Sequence, residues 1–476
     1  MPTDQTRQRI QITLLALILA LPGTLTAGQR ARHKLTALDR YVFQPDPNYQ
    51  YKLVNSIRGE GFTAYVIEMT SQQWRTAAEV DRPFWRHWLT IVRPDQVRTS
   101  TGFLLINGGS VGRPAPKSAD RVFTELAKNT GSVVADLRQI PNEPLTFAGE
   151  SKSRTEDAII AYTWDKFLRT GDETWPLRLP MTKSAVRAMD TITEFCGSTE
   201  AKTKVDKFVV AGGSKRGWTA WTTAAVDDRV VAVMPFVIDV LNAERSMEHH
   251  FRSYGFWAPA LGDYVKERIM DWSGTREYKA LMKIEDAYSY RDRLTMPKLI
   301  VNSTGDEYFL PDSWQFYFKD LKGENYLRYV PNTKHSLSSP DALMTLQAYY
   351  ELILGNSPRP RFSWSFARDG AVVVKCKDKP TEVKLWQATN PKARDFRLDS
   401  IGPAYKSSPL TPERDGTYVG KVPDPPEGWT AYFVELTFPT GGRFPLKLTT
   451  GVRIRPDRLP FPAPAAKRPG LTASKR

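Results

Sequence analysis

Cysteine and histidine are scarce in this chain of 476 residues, which contains two cysteines and five histidines. Two cysteines cannot build the framework of several disulfides that stabilises small secreted domains, so the fold must rely on a hydrophobic core. Cys196 and Cys376 fall in different predicted domains, and both a disulfide between them and two free thiols stay open. His249 and His250 are consecutive on a predicted helix, where their side chains diverge, so we predict no metal site there.

Motifs that would indicate a cofactor or a nucleic acid are missing. The stretch "GGSKRG" lacks the G-x-x-x-x-G-K-S/T spacing of a phosphate-binding loop. The formal net charge of +15 is high, but no zinc-finger, RNP-like or helix-turn-helix pattern accompanies it. We therefore expect no cofactor and no nucleic-acid partner, and we interpret the charge as general surface charge.

The only long hydrophobic run lies near the N-terminus, where residues 12–23 read "ITLLALILALPG". Arg7 and Arg9 precede the run and small residues surround Ala27, which is the pattern of a signal peptide over residues 1–27. The run is short for a membrane span. We predict export to the periplasm or the medium. An uncleaved membrane anchor stays an alternative, because Leu25, the third residue before the predicted cleavage site, is not well suited to that position. We expect membrane association only if the segment is not cleaved.

Strands and helices alternate through the middle of the chain. This alternation predicts a mostly parallel sheet with right-handed crossovers, an α/β fold whose sites lie at the carboxyl ends of the strands. The segment 248–272 is predicted to form a helical cap inserted between two strands. The predicted strands are 85–98, 102–109, 132–137, 207–214, 230–239 and 297–309, and the predicted helices are 118–131, 156–169, 182–194 and 215–226.

The pattern changes after residue 357. Short β-rich runs separated by Pro, Gly, Asn and Asp follow, without a helical period, and predict an all-β sandwich. We divide the chain after the signal segment into an α/β-hydrolase domain at 28–357, a C-terminal β-sandwich domain at 358–456, and a proline-rich basic tail at 457–476.

The segment "VVAGGSKRGWTAW" places Ser214 on a glycine-flanked corner between a predicted strand and a predicted helix. At such a corner a serine hydroxyl stands clear of the sheet, and the next backbone N–H, here that of Lys215, is free to bind an oxyanion. Small neighbours are needed there. The usual motif has a glycine two places after the serine, but here Arg216 occupies that position and the glycine comes one place later, at Gly217. The motif alone is therefore weak evidence for a catalytic serine.

The order of the other candidate residues strengthens the hypothesis. A nucleophilic serine needs a base and an orienting carboxylate, which follow it as Asp or Glu and then His in this kind of fold. His335 is the histidine that lies in a loop after a late strand, and Asp306 follows the strand before it. We predict Ser214 as nucleophile, His335 as general base and Asp306 as the residue that orients the imidazole.

Other carboxylates compete for the third position. Asp239 ends the preceding strand, and some hydrolases use that place. Asp312 is interpreted as a helix N-cap before Ser313, and Glu307 is expected to face away from the site.

The second oxyanion donor is expected in the loop after the strand "FLLINGG", at the backbone N–H of Gly109 or Ser110. The side chain of Asn107 is a candidate contact to the substrate.

Several long stretches of the chain resemble the PhoPQ-activated pathogenicity-related protein family over about residues 35–455. The resemblance implies an exported α/β-hydrolase and says little about the substrate. Ser214, Asp306 and His335 match the family's triad positions, and Gly213 departs from the alanine expected there. The stretches are "LTALDRYVFQPDPNYQYKL", "YVIEMTSQQWRTAAEVDRPFWRHWLTIVRPD", "GDETWPLRLPMTKSAVRAMDT", "GGSKRGWTAWTTAAVDDRVVAVMPFVIDVLN" and "GDEYFLPDS".

The displaced glycine is also similar to the Gly-x-Ser-Arg-x-Gly elbow of glucuronoyl esterases, which carry a cation beside the nucleophile. This similarity is confined to the elbow. It suggests that Lys215 or Arg216 contacts an acidic substrate or helps to stabilise an oxyanion. The alternative is that Arg216 pairs with a carboxylate beneath the helix and has a structural role.

The sequence thus predicts an exported serine hydrolase that acts on an ester or amide bond of a small molecule, a glycan or a peptide. A non-catalytic exported protein that uses the hydrolase fold for binding or signalling is the alternative.

Overall fold

The computed structural model describes residues 35–464 of the chain. The helices are α1 (Ala37–Phe43), α2 (Arg121–Thr130), α3 (Asp157–Thr170), α4 (Arg178–Gly197), α5 (Lys215–Val226), α6 (Ala243–Tyr254), α7 (Gly262–Lys266), α8 (Arg276–Glu285), α9 (Pro340–Leu354) and α10 (Leu398–Ile401). The predicted signal segment at 1–27 lies outside the described residues, as does the end of the predicted tail after residue 464.

Most of the strands belong to one large sheet. The strands are β1 (Gln50–Gly59), β2 (Phe62–Gln73), β3 (Phe84–Pro94), β4 (Thr101–Ile106), β5 (Val134–Leu137), β6 (Lys207–Gly213), β7 (Val230–Phe236), β8 (Lys298–Ser303), β9 (Asn325–Val330), β10 (Phe362–Phe366), β11 (Val372–Cys376), β12 (Glu382–Asn390), β13 (Lys406–Pro409), β14 (Thr417–Gly420), β15 (Trp429–Phe438), β16 (Leu446–Thr449) and β17 (Arg453–Arg455).

The centre of this sheet has the order β2-β3-β5-β4-β6-β7-β8-β9. The neighbours from β5 to β9 run parallel, whereas β3 is antiparallel to both β2 and β5. An eight-stranded sheet of this order and direction, with helices in its crossovers, is the α/β-hydrolase fold, as the sequence predicted. The carboxyl ends of β6, β8 and β9 consequently meet at one edge of the sheet.

Alternating burial explains how helices cover both faces of this sheet. In β6, Val209 and Ala211 join the apolar core that contains residues of α2 and α9. Phe208 and Val210 join the other core, with residues of α4 and α5. Successive side chains of a strand point to opposite faces, so a continuous apolar run is required where both faces are covered. The run "KFVVAGG" meets that requirement.

The predicted helical cap is present between β7 and β8. It consists of α6, α7 and α8 with short 3₁₀ turns between them. Buried aromatic and aliphatic side chains of these helices join the larger core, so the cap is packed onto the hydrolase domain. The final described residues also reach it, because the backbone N–H of Phe461 donates to the Arg252 carbonyl of α6 at 3.1 Å.

The C-terminal strands form two packed sheets, and one of them continues the hydrolase sheet. Strand β16 pairs antiparallel with β9 through Thr449 and Leu327, and β15, β12 and β13 follow it. The separate sheet β10-β11-β14 packs against these strands through a shared apolar core. The buried guanidinium of Arg328 on β9 pairs with Glu435 on β15. The domain boundaries near 357 and 456 stay predictions.

The two cysteines are unpaired, Cys196 in α4 and Cys376 in β11. Burial raises the pKa of the Cys196 thiol to about 12 and that of Cys376 to about 11, which keeps both protonated at neutral pH. Among residues 35–464, no helix is both long and apolar enough to cross a membrane.

Candidate active site

Ser214 occupies a sharp corner between β6 and α5. Its backbone has φ 56° and ψ −129°, a combination that non-glycine residues rarely adopt. The Ser214 N–H donates to the Phe236 carbonyl of β7 at 2.8 Å, which ties the corner to the neighbouring strand. Strained residues of this kind persist where the surrounding structure holds them, and they cluster at functional sites.

Two glycines allow the strand and the helix to cross at this corner. A Cβ on Gly212 would lie 2.5 Å from the Arg216 carbonyl oxygen, and a Cβ on Gly217 would lie 2.7 Å from the Gly212 carbonyl oxygen. Gly213 differs, because a Cβ there would meet no heavy atom within 4 Å. Gly217, the glycine displaced by one place in the motif, therefore allows the close approach of strand and helix that is expected at this corner. An alanine would fit at position 213.

The three residues predicted as a triad are brought together in one hydrogen-bonded chain. His335 Nε2 lies 2.8 Å from Ser214 Oγ, and His335 Nδ1 lies 2.8 Å from Asp306 Oδ2. Asp306 is 3% exposed, and its second oxygen accepts the backbone N–H groups of Tyr308 and Phe309 at 2.8 and 3.2 Å. These bonds fix the orientation of the carboxylate.

The loop that carries His335 is held from several sides. Ser303 Oγ donates to the Lys334 carbonyl at 2.7 Å, and the backbone N–H of His335 donates to Glu307 at 2.7 Å. The Tyr308 ring lies against the imidazole with 4.4 Å between centroids. Glu307 was expected to face elsewhere; this expectation is wrong, because its carboxylate orders the histidine backbone, although it does not bond the imidazole.

The two competing aspartates bond to other groups. Asp239 is buried and accepts hydrogen bonds from the hydroxyls of Tyr317 and Tyr329 at 2.6 and 2.5 Å. Burial raises its pKa to about 8 despite these bonds. Asp312 is the N-cap residue of a short 3₁₀ helix at Ser313–Phe316, as predicted, but its side chain makes no capping bond. Asp312 instead accepts from His249 at 3.0 Å and from Arg394 at 2.6 Å.

His249 is thereby part of a buried ion network that connects α6 to the C-terminal region. His250 is also buried; its Nε2 accepts the backbone N–H of Ala258 at 3.1 Å. Burial lowers the pKa of His250 to about 3, so its imidazole is neutral. Within residues 35–464 there is no group of three or more His, Cys, Asp or Glu side chains that could hold a metal ion.

The predicted oxyanion donors come from two segments beside Ser214. Lys215 is the first residue of α5, so its backbone N–H has no intrahelical carbonyl to bind. Gly109 and Ser110 lie in the loop after β4. This loop approaches the elbow closely, because a Cβ on Gly108 would lie 2.6 Å from an Arg216 guanidinium nitrogen. The Asn107 side chain is held within the loop by Asp136 at 3.0 Å and by the Gly108 N–H at 2.9 Å.

Arg216 and Lys215 both pair with one carboxylate. The guanidinium of Arg216 binds both oxygens of Glu156, each at 2.7 Å, and also donates to the Ile140 carbonyl. The Lys215 ammonium lies 2.7 Å from Glu156 and 3.4 Å from Asp157. These contacts correspond to the structural alternative for Arg216, in which it pairs with a carboxylate beneath the helix.

Glu143 completes this charged cluster. Its carboxylate accepts the Glu156 N–H at 2.6 Å and lies 3.6 Å from the Arg216 guanidinium, while its carbonyl accepts the Val111 N–H at 2.7 Å. Burial and the nearby Glu156 charge raise the pKa of Glu143 to about 7. Glu156 is only partly buried, with its side chain 41% exposed; this burial raises its pKa, but the Arg216 and Lys215 charges outweigh the effect and lower the pKa to about 2.

Sequence reasoning missed Glu143 and Glu156. Glu143 is in an irregular segment, and Glu156 precedes α3 with φ 53° and ψ −127°, almost the conformation of Ser214. No periodicity or motif marks either residue. The available signal was the pair of cations that follows the serine, Lys215 and Arg216, because buried cations require carboxylates nearby.

One space lies beside Ser214, and a second lies along the predicted donor loop. A cavity of about 50 Å³ opens beside Ser214 beneath the cap and is lined mainly by apolar side chains. A larger cleft of about 600 Å³ runs along the loop of Gly108 to Ser110 and is lined by polar and charged side chains. The two share no lining residue.

A profile of the PhoPQ-activated pathogenicity-related protein family matches residues 38–397. The chain is 38% identical over 477 residues to autocrine proliferation repressor protein A of Dictyostelium discoideum, with 94% of each chain covered.

Similar solved structures have low sequence identity to the chain. Acetyl xylan esterase 1 from Thermoanaerobacterium sp. is 15% identical with a TM-score of 0.47, covering 67% of this chain and 92% of that one. The glucuronoyl esterase from Solibacter usitatus is 13% identical with a TM-score of 0.37, covering 63% and 86% respectively.

The close approach of β6 and α5 at the Ser214 corner predicts different effects on stability for two neighbouring glycine-to-alanine substitutions. Gly212→Ala forces a Cβ against backbone atoms and should lower the free energy of unfolding by about 1–3 kcal/mol. Gly213→Ala enters open space and should change it by no more than about 1 kcal/mol. Denaturant unfolding followed by tryptophan fluorescence measures both. An equal loss in the two variants would contradict the predicted role of Gly212.

The charged cluster predicts a pH-dependent stability difference. Because the pKa of Glu143 rises from 4.5 to about 7 on folding, the folded protein binds more protons than the unfolded chain between these values, and stability falls as pH rises. Glu143→Gln removes this contribution. From pH 5 to 7.5 the wild type should lose on the order of 1–3 kcal/mol relative to the variant. The free energy of unfolding of wild type and variant is measured by denaturant at each pH, and the difference between the two is the readout because other buried groups also titrate. A difference that stays constant with pH would contradict the prediction.

Proposed function

The chain belongs to the PhoPQ-activated pathogenicity-related protein family, and we propose that it is an exported serine hydrolase that cleaves a carboxylic ester or amide. Ser214 is the nucleophile, His335 the general base and acid, and Asp306 the orienting carboxylate. The observation that carries the proposal is the unbroken hydrogen-bond chain from Ser214 Oγ through the imidazole to Asp306. It starts at a strained corner on the amino end of a helix.

The geometry suits acyl transfer in two steps. His335 Nε2 takes the proton of Ser214 Oγ as the oxygen attacks the substrate carbonyl carbon, and the imidazolium then gives that proton to the leaving alkoxide or amine. A water molecule attacks the resulting acyl-enzyme, again losing its proton to His335, and Ser214 is regenerated. Asp306 keeps the Nδ1–H tautomer and stabilises the imidazolium without accepting the proton.

The oxyanion is bound by the backbone N–H of Lys215 and by that of Gly109 or Ser110. Preorganised donors of this kind supply a large share of catalysis in acyl transfer, because they stabilise charge that develops only in the transition state. The charged cluster supports the arrangement. Arg216 holds Glu156, and Glu143 bonds both the backbone of Glu156 and the backbone of Val111, next to the predicted donor loop.

Arg216 and Asn107 have side-chain partners within the protein, as described above. This favours positioning roles for both over direct contact with the substrate. The substrate is a small molecule, a glycan or a peptide, and we propose no nucleic-acid partner. Export rests on the N-terminal pattern, and membrane association is proposed only for a chain that keeps this segment.

A second candidate function is binding or signalling by a hydrolase-like protein without catalysis. The name of the Dictyostelium relative, a proliferation repressor, is the observation that favours it. The two candidates differ in whether Ser214 is chemically activated, which can be tested without knowledge of the substrate.

Fluorophosphonate labelling tests the proposal. The purified mature protein should be labelled, and Ser214→Ala and His335→Ala should each lose labelling, because the serine needs both its oxygen and its base. Ser363→Ala changes an exposed serine on β10 and should label as the wild type does. Labelling is read by gel fluorescence and intact mass, with folding checked by circular dichroism. Failure of the folded wild type to react would contradict the hydrolase and favour the binding protein.

A further inference from the structure

The cavity beside Ser214 limits which substrate can react. It has a volume of about 50 Å³, and its walls come from α3, α5, the cap and the loop after β8. One water occupies about 10–15 Å³ by this kind of measure. The cavity therefore has room for roughly four non-hydrogen atoms.

The walls of the cavity are mainly apolar. Its apolar lining includes Ile160 and Trp164 on α3, Trp218 on α5, and Val240 and Met247 next to or on α6. Burying a charged group against such side chains costs several kcal/mol unless a partner is present. An uncharged aliphatic group is the ligand that fits.

The charged groups of the lining have partners within the protein, whereas the buried indole N–H groups of Trp164 and Trp218 donate to no atom of residues 35–464. Asp157 accepts the hydroxyl of Tyr264 at 3.1 Å and that of Tyr308 at 3.3 Å, and the Lys215 ammonium is 3.4 Å away. Lys215 is bound more closely by Glu156 at 2.7 Å. These groups are therefore already neutralised and satisfied, and a second charge in the cavity would have to displace an existing contact.

We propose that this cavity binds the acyl group of the substrate and that the protein is selective for short, uncharged acyl esters, from acetyl to about pentanoyl. The inference rests on the proposed hydrolase function. The alcohol part of the ester leaves toward the larger polar cleft along Gly108 to Ser110, which shares no lining residue with the cavity. Acyl length is restricted by the walls, while the alcohol meets an open and polar surface.

Met247 is the side chain whose removal tests the cavity most cleanly. It is only partly buried and lies on the cap helix α6, so its truncation opens space without removing a fully buried core residue. Met247→Ala deletes Cγ, Sδ and Cε and makes room for a longer chain. Met344→Ala is the matched control, because Met344 is 39% exposed on α9 and does not line the cavity.

The experiment compares kcat/KM for p-nitrophenyl acetate, butyrate and octanoate, which share one leaving group. The wild type and Met344→Ala should hydrolyse octanoate at least about 100-fold less efficiently than butyrate, since each unaccommodated methylene costs about 10-fold or more. Met247→Ala should raise the octanoate-to-butyrate ratio about 10-fold or more. Fluorophosphonate labelling of each protein is measured in parallel.

The outcomes separate failure of this inference from failure of the proposed function. A labelled wild type that hydrolyses octanoate as well as butyrate, or that cleaves peptide amides and none of the esters, overturns the short-acyl inference and leaves the activated serine standing. An unchanged ratio in a folded, labelled Met247→Ala protein also overturns it. A folded wild type that neither labels nor hydrolyses any ester overturns the proposed function together with the inference.

Discussion

The close crossing of β6 and α5 is the constraint on which the site depends. The backbones approach so nearly at Gly212 and Gly217 that neither position has space for a side chain, and the intervening turn forces Ser214 to a positive φ. This conformation turns the serine hydroxyl out of the sheet at the amino end of a helix, where the partial positive charge of the helix favours a developing anion. The hydrogen bond to His335 requires that placement.

A second layer of charges supports the elbow. Two consecutive cations, Lys215 and Arg216, would be costly to bury alone, and Glu156 compensates both. Glu143 then connects Glu156 to the segment that follows the predicted oxyanion loop. One ionic cluster thus couples the Ser214 corner, the start of α3 and this loop. A substitution of any of its four charged residues should shift the positions of the other three.

Much of the fold could be predicted from the sequence, because several parallel strands, such as β4, β6 and β8, contain an apolar run that ends at glycine or a polar residue. The proximity of Ser214, Asp306 and His335 could be predicted because histidine is scarce and because the α/β-hydrolase fold suggests the order Ser, Asp, His. The hairpin β1–β2 was not predicted, since β1 is mostly exposed and has no clear apolar alternation. The continuity of β9 with β16 depends on pairing between Leu327 and Thr449, and such long-range edge pairing leaves no local signal. Glu143 and Glu156 were missed for the same reason.

In the proposed mechanism, Asp306 acts only through His335, and His335 acts on Ser214. The most direct measurement is the second-order rate of fluorophosphonate reaction in Asp306→Asn, His335→Ala and the double variant. This mechanism predicts that Asp306→Asn slows the reaction by a factor on the order of 10³–10⁴. It also predicts that the double variant is no slower than His335→Ala, since residues that act as a unit are not additive. Independent, multiplying effects of the two substitutions, or full reactivity of Asp306→Asn, would contradict it.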